Sequence, residues 1–160
     1  MIALLGVISL LLAAIVMALS LAHALEYPGK RRLDRETYLA MQAVYYPGFT
    51  IGGAAEPLSI IAVLTLLVTT PAGTLPFWLT LIALLALVAV QAIFWLVTQP
   101  VNKHWLKGTK LTSAGAAFFG KAPAAHEDWM RLRDRWEYSH IARSVLAVLA
   151  FLCLAAAVGL

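Results

Sequence analysis

Apolar residues run almost unbroken through four stretches of the chain, about Ile2–Leu25, Gly48–Thr69, Phe77–Thr98 and Ser139–Leu160. Each has about 20 residues, the length a helix needs to cross the hydrocarbon core of a bilayer. The first is apolar almost throughout until Ser20, then meets His23 and Glu26 before Tyr27-Pro28-Gly29, which reads as its stop. Asp34 is placed to cap a short amphipathic helix, roughly Arg35–Tyr46, whose Tyr38, Met41 and Tyr45 suit a membrane interface. Pro47-Gly48 turns the chain into the second span, which opens Gly52-Gly53-Ala54-Ala55-Glu56-Pro57. Small residues there admit a close neighbour, and Pro57 predicts a kink with Glu56 at it. The third span is apolar except for Gln91 and ends in Gln99-Pro100-Val101-Asn102-Lys103-His104-Trp105. A loop over Lys107–Ala122 carries Phe118-Phe119, which reads as touching the membrane, and Pro123 is placed to start a helix that runs on into the last span. The pattern predicts an all-α fold, a four-transmembrane-helix bundle with cytoplasmic loop helices, as one integral membrane domain over residues 1–160.

Composition agrees: 12% of residues are charged, against about 25% in a soluble domain, and mean hydropathy is +0.84. Leu-Ser-Leu-Ala-His-Ala near the N-terminus has the small-residue pattern of a signal-peptidase site. No Lys or Arg precedes the apolar run, however, so the segment reads as the first spanning helix. Eleven of the twelve Lys and Arg residues fall after the first span or between the third span and the fourth, and none in Thr-Thr-Pro-Ala-Gly-Thr-Leu-Pro. The positive-inside bias then makes both basic loops cytoplasmic and both termini external, in an inner (cytoplasmic) membrane. Topology and anionic lipid account for the net charge of +4, so no nucleic-acid partner is implied. The lone Cys153 allows no internal disulfide.

That topology brings the polar residues of all four spans to one depth. His23 and Glu26 end the first, Glu56 lies near the start of the second, Gln99, Asn102 and His104 close the third, and Glu137, His140 and Arg143 open the fourth. Ionisable groups are expensive in lipid, so such a cluster marks a candidate site. At 100° per residue, Trp129, Trp136, His140 and Arg143 fall within about 60° of one another, a stripe that should face the bundle. His104 and His126, in loop segments, read as structural.

Two cofactor chemistries fit the residue types. His23, Glu26, Glu56, Glu137 and His140 are candidate metal ligands, for a carboxylate-bridged non-haem iron pair or a single iron, copper or zinc ion. Alternatively, His23 and His140 are candidate axial ligands of a non-covalent haem b, with Trp136 and Tyr46 packing on it. A third reading needs no cofactor: acid–base residues alone serve, with Glu26 and Glu56 paired to basic side chains.

Thr98-Gln99-Pro100-Val101-Asn102, followed by Trp129, Trp136, His140 and Arg143 leading into a final span, resembles the anthrone-oxygenase-like membrane proteins. The resemblance covers most of the chain in layout. It implies a four-helix membrane protein that oxidises anthrone-type aromatics to anthraquinones with O₂, usually without an added cofactor. By that resemblance Asn102, His140 and Arg143 are catalytic candidates and Trp136 lines the site. The chain departs from the family at Gln99-Pro100-Val101-Asn102, where the pattern is Asn-Val-Pro-x-Asn, and His140 stands where Asn or His is used. His23-x-x-Glu26 with Tyr27-Pro28-Gly29-Lys30 lies outside the family pattern and suggests a separate branch with a bound metal or haem.

The leading expectation is a membrane oxidoreductase using O₂ on a lipophilic small molecule, with His140 as ligand or general base and Arg143 stabilising negative charge. The competing one is a non-enzymatic electron-transfer or assembly subunit, for which the Gly52-Gly53 face suits a second copy or a membrane complex partner. A transporter fits less well, because the polar residues form no continuous path across the bundle.

Overall fold

The computed structural model describes residues 2–105 and 129–160. They are helical, with no strand among the described residues: α1 (Ile2–Lys30), α2 (Arg35–Gln42) with a 3₁₀ turn (Ala43–Tyr45), α3 (Gly48–Gly52), α4 (Ala55–Thr69), α5 (Leu75–Ile93) continued by a π turn (Phe94–Thr98), α6 (Gln99–Trp105) and α7 (Trp129–Gly159). The chain is a multi-pass membrane protein, with four helical stretches long and apolar enough to span: Ile2–Lys30, Gly48–Thr69, Leu75–Trp105 and Trp129–Gly159. The expectations for the Lys107–Ala122 loop, Phe118-Phe119, the Pro123 helix start and His126 concern residues outside those described.

The spans form a ring. α7 packs against α1 and α5, and α4 packs against the same two from the other side, so α4 and α7 face each other across the centre. Small residues fill the inner seam, among them Ala13 of α1, Val63 of α4, Ala83 and Ala86 of α5, and Ala147 and Ala150 of α7. Lipid offers no hydrophobic drive to bring helices together, so close van der Waals contact between such residues has to do it. Large side chains point the other way: Leu11, Leu64, Leu85 and Leu152 are exposed on the outer surface, where hydrocarbon meets them.

Four local features depart from simple helices, and each shapes the polar end of the ring. The first span does not stop at Tyr27-Pro28-Gly29. Pro28 stands in the last turn, where its missing N–H costs one hydrogen bond, and the helix closes with Arg31 N–H on the Tyr27 carbonyl at 3.1 Å. The added turn carries Lys30, 2% exposed, into the bundle.

Asp34 caps α2 as its position implies, accepting from Thr37 N–H at 2.8 Å, which holds its carboxyl below the usual range. The helix does not display its tyrosines to the membrane interface. Tyr38 is fully buried against Trp105 and Leu132, and its hydroxyl donates to Glu137 Oε1 at 2.9 Å. Burial, reinforced by the neighbouring carboxylate, pushes that hydroxyl above the usual tyrosine range.

The second span breaks at Gly53-Ala54, in the turn that Pro57 deprives of a hydrogen bond. Pro57 sits in the first turn of α4, where a helix has no use for the N–H, and the Gly53 carbonyl takes Glu56 N–H at 3.0 Å instead. Gly52 lets α3 lie directly on α1, since a Cβ there would come 2.7 Å from Leu19 Cδ1. In the third span Pro100 would collide with the carbonyl four residues back in an α-helix. The π turn relieves this, Gln99 N–H reaching the Phe94 carbonyl five residues back, and it widens the helix at that level.

Tyr38→Phe leaves Glu137 with only the more distant Lys30 as a buried partner and is expected to cost about 2 kcal/mol in unfolding from detergent. The hydroxyl's folded-state affinity for its proton is raised, so its contribution is complete below the free tyrosine pKa of about 10 and is lost as pH rises beyond it. The gap between wild type and variant should therefore narrow in alkali.

Candidate functional site

The bend before α4 and the π turn after α5 open a cavity of about 500 Å³ at the polar end of the ring. Such a volume suits a drug-sized ligand. Much of its wall is aromatic: Phe49 from α3, Phe94 and Trp95 from the π turn, Trp105 from α6, Trp136 from α7, and Tyr45 from the 3₁₀ turn. The polar groups come from every span, His23 from α1, Glu56 from α4, Gln91 from α5, and His140 and Arg143 from α7, with Asn102 from α6.

One ion pair crosses the centre. Arg143 Nη2 donates to Glu56 Oε1, joining α7 to the helix it faces across the ring. The Gln91 amide, in the orientation that satisfies both its neighbours, donates to Glu56 Oε2 at 2.6 Å and accepts from Trp95 Nε1 at 3.0 Å. Both carboxylate oxygens are thereby occupied. A guanidinium has no lone pair to offer, so Arg143 Nη1 donates to His140 Nδ1, 3.3 Å away, and the Phe94 ring lies 5.1 Å from the guanidinium carbon.

The imidazoles of His23 and His140 lie against each other, centroids 4.1 Å apart, with the Trp136 ring 4.2 Å from His140 and 5.0 Å from His23. Trp136 is itself fixed: its Nε1 donates to Asn102 Oδ1 at 2.7 Å, and Asn102 Nδ2 donates to Gln99 Oε1 at 3.2 Å. Behind His23 stands a second charged group. Glu26 Oε2 lies 3.0 Å from Lys30 Nζ and 3.9 Å from His23 Nδ1, and accepts from the Tyr45 hydroxyl. Lys30 also reaches Glu137 Oε1 at 3.5 Å. Burial first, and then the Glu26 carboxylate, push the Tyr45 hydroxyl above the usual range, so it remains a donor.

Buried polar atoms without a protein partner concentrate here. His23 Nδ1, His140 Nε2, Arg143 Nε, Gln42 Nε2 and Trp105 Nε1 all belong to residues lining the cavity. Native structures leave few such atoms, and a group of them around one space points to a polar ligand or water.

Neither cofactor expectation is shown by the geometry. Among the described residues no three of His, Cys, Asp and Glu converge as a metal centre requires. The five residues offered as ligands are drawn apart by other partners: Glu56 by Arg143, Glu137 by Tyr38 and Lys30, Glu26 by Tyr45 and Lys30, leaving His23 and His140 side by side. Nor do His23 and His140 stand as opposed axial ligands. A macrocycle between two imidazoles needs them to point at each other through its plane, and these rings lie in contact.

The aromatic wall contains Tyr45 where Tyr46 is the expectation, because the 3₁₀ turn ends at Tyr45 and aims that ring inward. Trp129 packs near Tyr38 and Arg133, below the cavity. Glu137 is 1% exposed and does not reach out to the interface. Gln91, Lys30 and Trp105 have site positions that sequence reading did not assign. A lone amide in an apolar span was the available signal for Gln91; nothing in the pattern marked Lys30, which the Pro28 stop placed outside the helix.

A family model described as anthrone oxygenase matches residues 41–153. The match includes Glu56, Gln91, Asn102, Trp136, His140 and Arg143, and leaves out α1 with His23, Glu26 and Lys30. No curated protein and no solved structure matches the chain significantly.

Breaking the central pair should be worse than removing it. Glu56→Gln or Arg143→Gln alone is expected to cost about 3 kcal/mol, by leaving a buried charge unpaired. The double variant should cost less than the sum, and unfolding in detergent across the four proteins measures the coupling. Additive costs would show that the two groups do not support each other.

Proposed function

The chain belongs to the anthrone oxygenase family, and on that premise we propose that it is a membrane-embedded oxygenase acting on a flat, lipophilic phenolic or ketonic aromatic held in the central cavity. The observation that carries this reading is the pairing of an aromatic wall with an unpartnered His140 Nε2 next to a locked arginine. Planar rings suit a wall that includes Trp136, Phe94 and Trp105, and an oxygen on such a ring can take the hydrogen bond His140 has to give. Arg143, held by Glu56, adds positive charge behind that donor where water is scarce.

The reaction balances as follows. A ring CH₂ activated by an adjacent aromatic ketone loses one proton to a base, and the electron pair moves toward the ketone oxygen as an enolate. His140 and Arg143 stabilise the charge that develops there. O₂ adds to the carbon, the first proton returns to the distal peroxide oxygen, the base takes the second C–H proton, and the O–O bond breaks with hydroxide leaving to collect that proton. One oxygen remains as the new ketone and the other departs as water. The carbon gives up four electrons and O₂ accepts four. Asn102 acts through Trp136, fixing the indole that forms one side of the slot. The polar end of the ring is the cytoplasmic one in this reading, because the basic residues cluster there.

His140→Ala, in lipid nanodiscs supplied with anthrone and O₂, is expected to lower turnover by about a hundredfold or more. Binding, followed by tryptophan fluorescence, should weaken far less. Unchanged turnover would remove His140 from the reaction.

A further inference from the structure

The mechanism above needs a base, and His140 is poorly placed to be one. Its Nδ1 lone pair is taken by Arg143 Nη1, so a neutral His140 carries its proton on Nε2 and can only donate into the cavity. His23 has the opposite surroundings. Its Nδ1 is buried, has no hydrogen-bond partner, and faces the Glu26 carboxylate 3.9 Å away. A carboxylate beyond Nδ1 favours the proton on that nitrogen and leaves Nε2 with the lone pair, the logic by which a buried carboxylate orients a catalytic histidine. Hydrogen bonds of this kind are often long before substrate binds.

Charge balance supports the same division. Among the described residues around the pair, Arg143 is neutralised by Glu56, and Lys30 is shared between Glu26 at 3.0 Å and Glu137 at 3.5 Å, with Tyr38 and Tyr45 as neutral donors. Two cations thus face three carboxylates, and Glu26, half-exposed, is the carboxylate of the three that lies beside an imidazole nitrogen. It is therefore the natural counter-ion when the imidazole beside it becomes positive.

We propose, resting on the function assigned above, that His23 is the general base, positioned by Glu26, while His140 is the fixed donor. The first C–H proton passes to His23 Nε2, the imidazolium is held by Glu26, and that proton goes to the distal peroxide oxygen; His23 then takes the second C–H proton as the O–O bond breaks and returns it to the departing hydroxide, which leaves as water. α1, which lies outside the family match, thus supplies half of the acid–base machinery. His23 is a catalytic residue in this scheme and Glu26 a positioning residue.

The test begins with the ring protons themselves. In ¹⁵N NMR of histidine-labelled protein in nanodiscs, His23 should carry its proton on Nδ1 and His140 on Nε2. Glu26→Gln should abolish the His23 preference and Glu26→Asp restore it, whereas Glu36→Gln, on the exposed side of α2, should change neither. The second readout is exchange of the anthrone methylene with D₂O under nitrogen, before O₂ can react. His23→Gly should slow catalysed exchange by about a hundredfold and Glu26→Gln by about tenfold, with added imidazole recovering part of the His23→Gly loss. Wild-type His23 protonated on Nε2, or His23→Gly exchanging as fast as wild type, overturns the proposal. Wild type that neither exchanges nor oxidises anthrone overturns the reaction assigned above, and the tautomers still decide whether Glu26 orients His23.

Discussion

An ion pair across the centre of the bundle is the constraint on which the rest depends. Glu56 and Arg143 sit on helices that face each other across the ring rather than packing side by side. In a medium where an isolated charge is costly, neither can turn toward lipid, and each holds the other in place. Everything polar around them follows. Gln91 takes the second carboxylate oxygen, Trp95 steadies Gln91, and the free side of the guanidinium settles His140. The backbone yields where the pair needs room: a bend at Gly53-Ala54 on one side, a π turn at Phe94–Thr98 on the other. Those two irregularities are what make a cavity out of a helical ring.

The spans and the depth of the polar cluster were legible in the sequence because each rests on a simple physical rule. A run of about 20 apolar residues must be a helix in a bilayer, and alternating direction through the membrane fixes which ends meet. Pairing was legible only in part: Glu26 and Glu56 meet basic side chains as one reading had it, Lys30 and Arg143, but the finer choices were not. Glu137 choosing Tyr38 and Lys30, or Tyr45 rather than Tyr46 entering the wall, depends on rotations of a few tens of degrees set by a short 3₁₀ turn. Pro28, Pro57 and Pro100 show the same limit. All three read as breaks, yet one lies harmlessly in a last turn, one in a first turn, and one is absorbed by a π turn. The metal and haem readings meet the same limit: residue type and depth match, while the direction of each side chain is decided by partners that no spacing rule reveals.

The site has two halves with different origins in the chain. Residues from α4 to α7, within the family match, form the slot and the side that stabilises charge. α1 adds His23, with Glu26 and Lys30 behind it. Their meeting point is the pair of adjoining, tilted imidazoles against Trp136. In the proposed reaction a lipophilic substrate stays in a largely apolar slot while its proton and its developing charge are handled by separate side chains, each fixed by its own carboxylate.

The most direct trial of this account is a single turnover of anthrone under ¹⁸O₂ by the purified protein in nanodiscs, with the product oxygen read by mass spectrometry. The account predicts one labelled oxygen at the former methylene carbon and the other in water. Product whose new oxygen comes from solvent, or no product from protein shown to bind anthrone in the cavity, would contradict it.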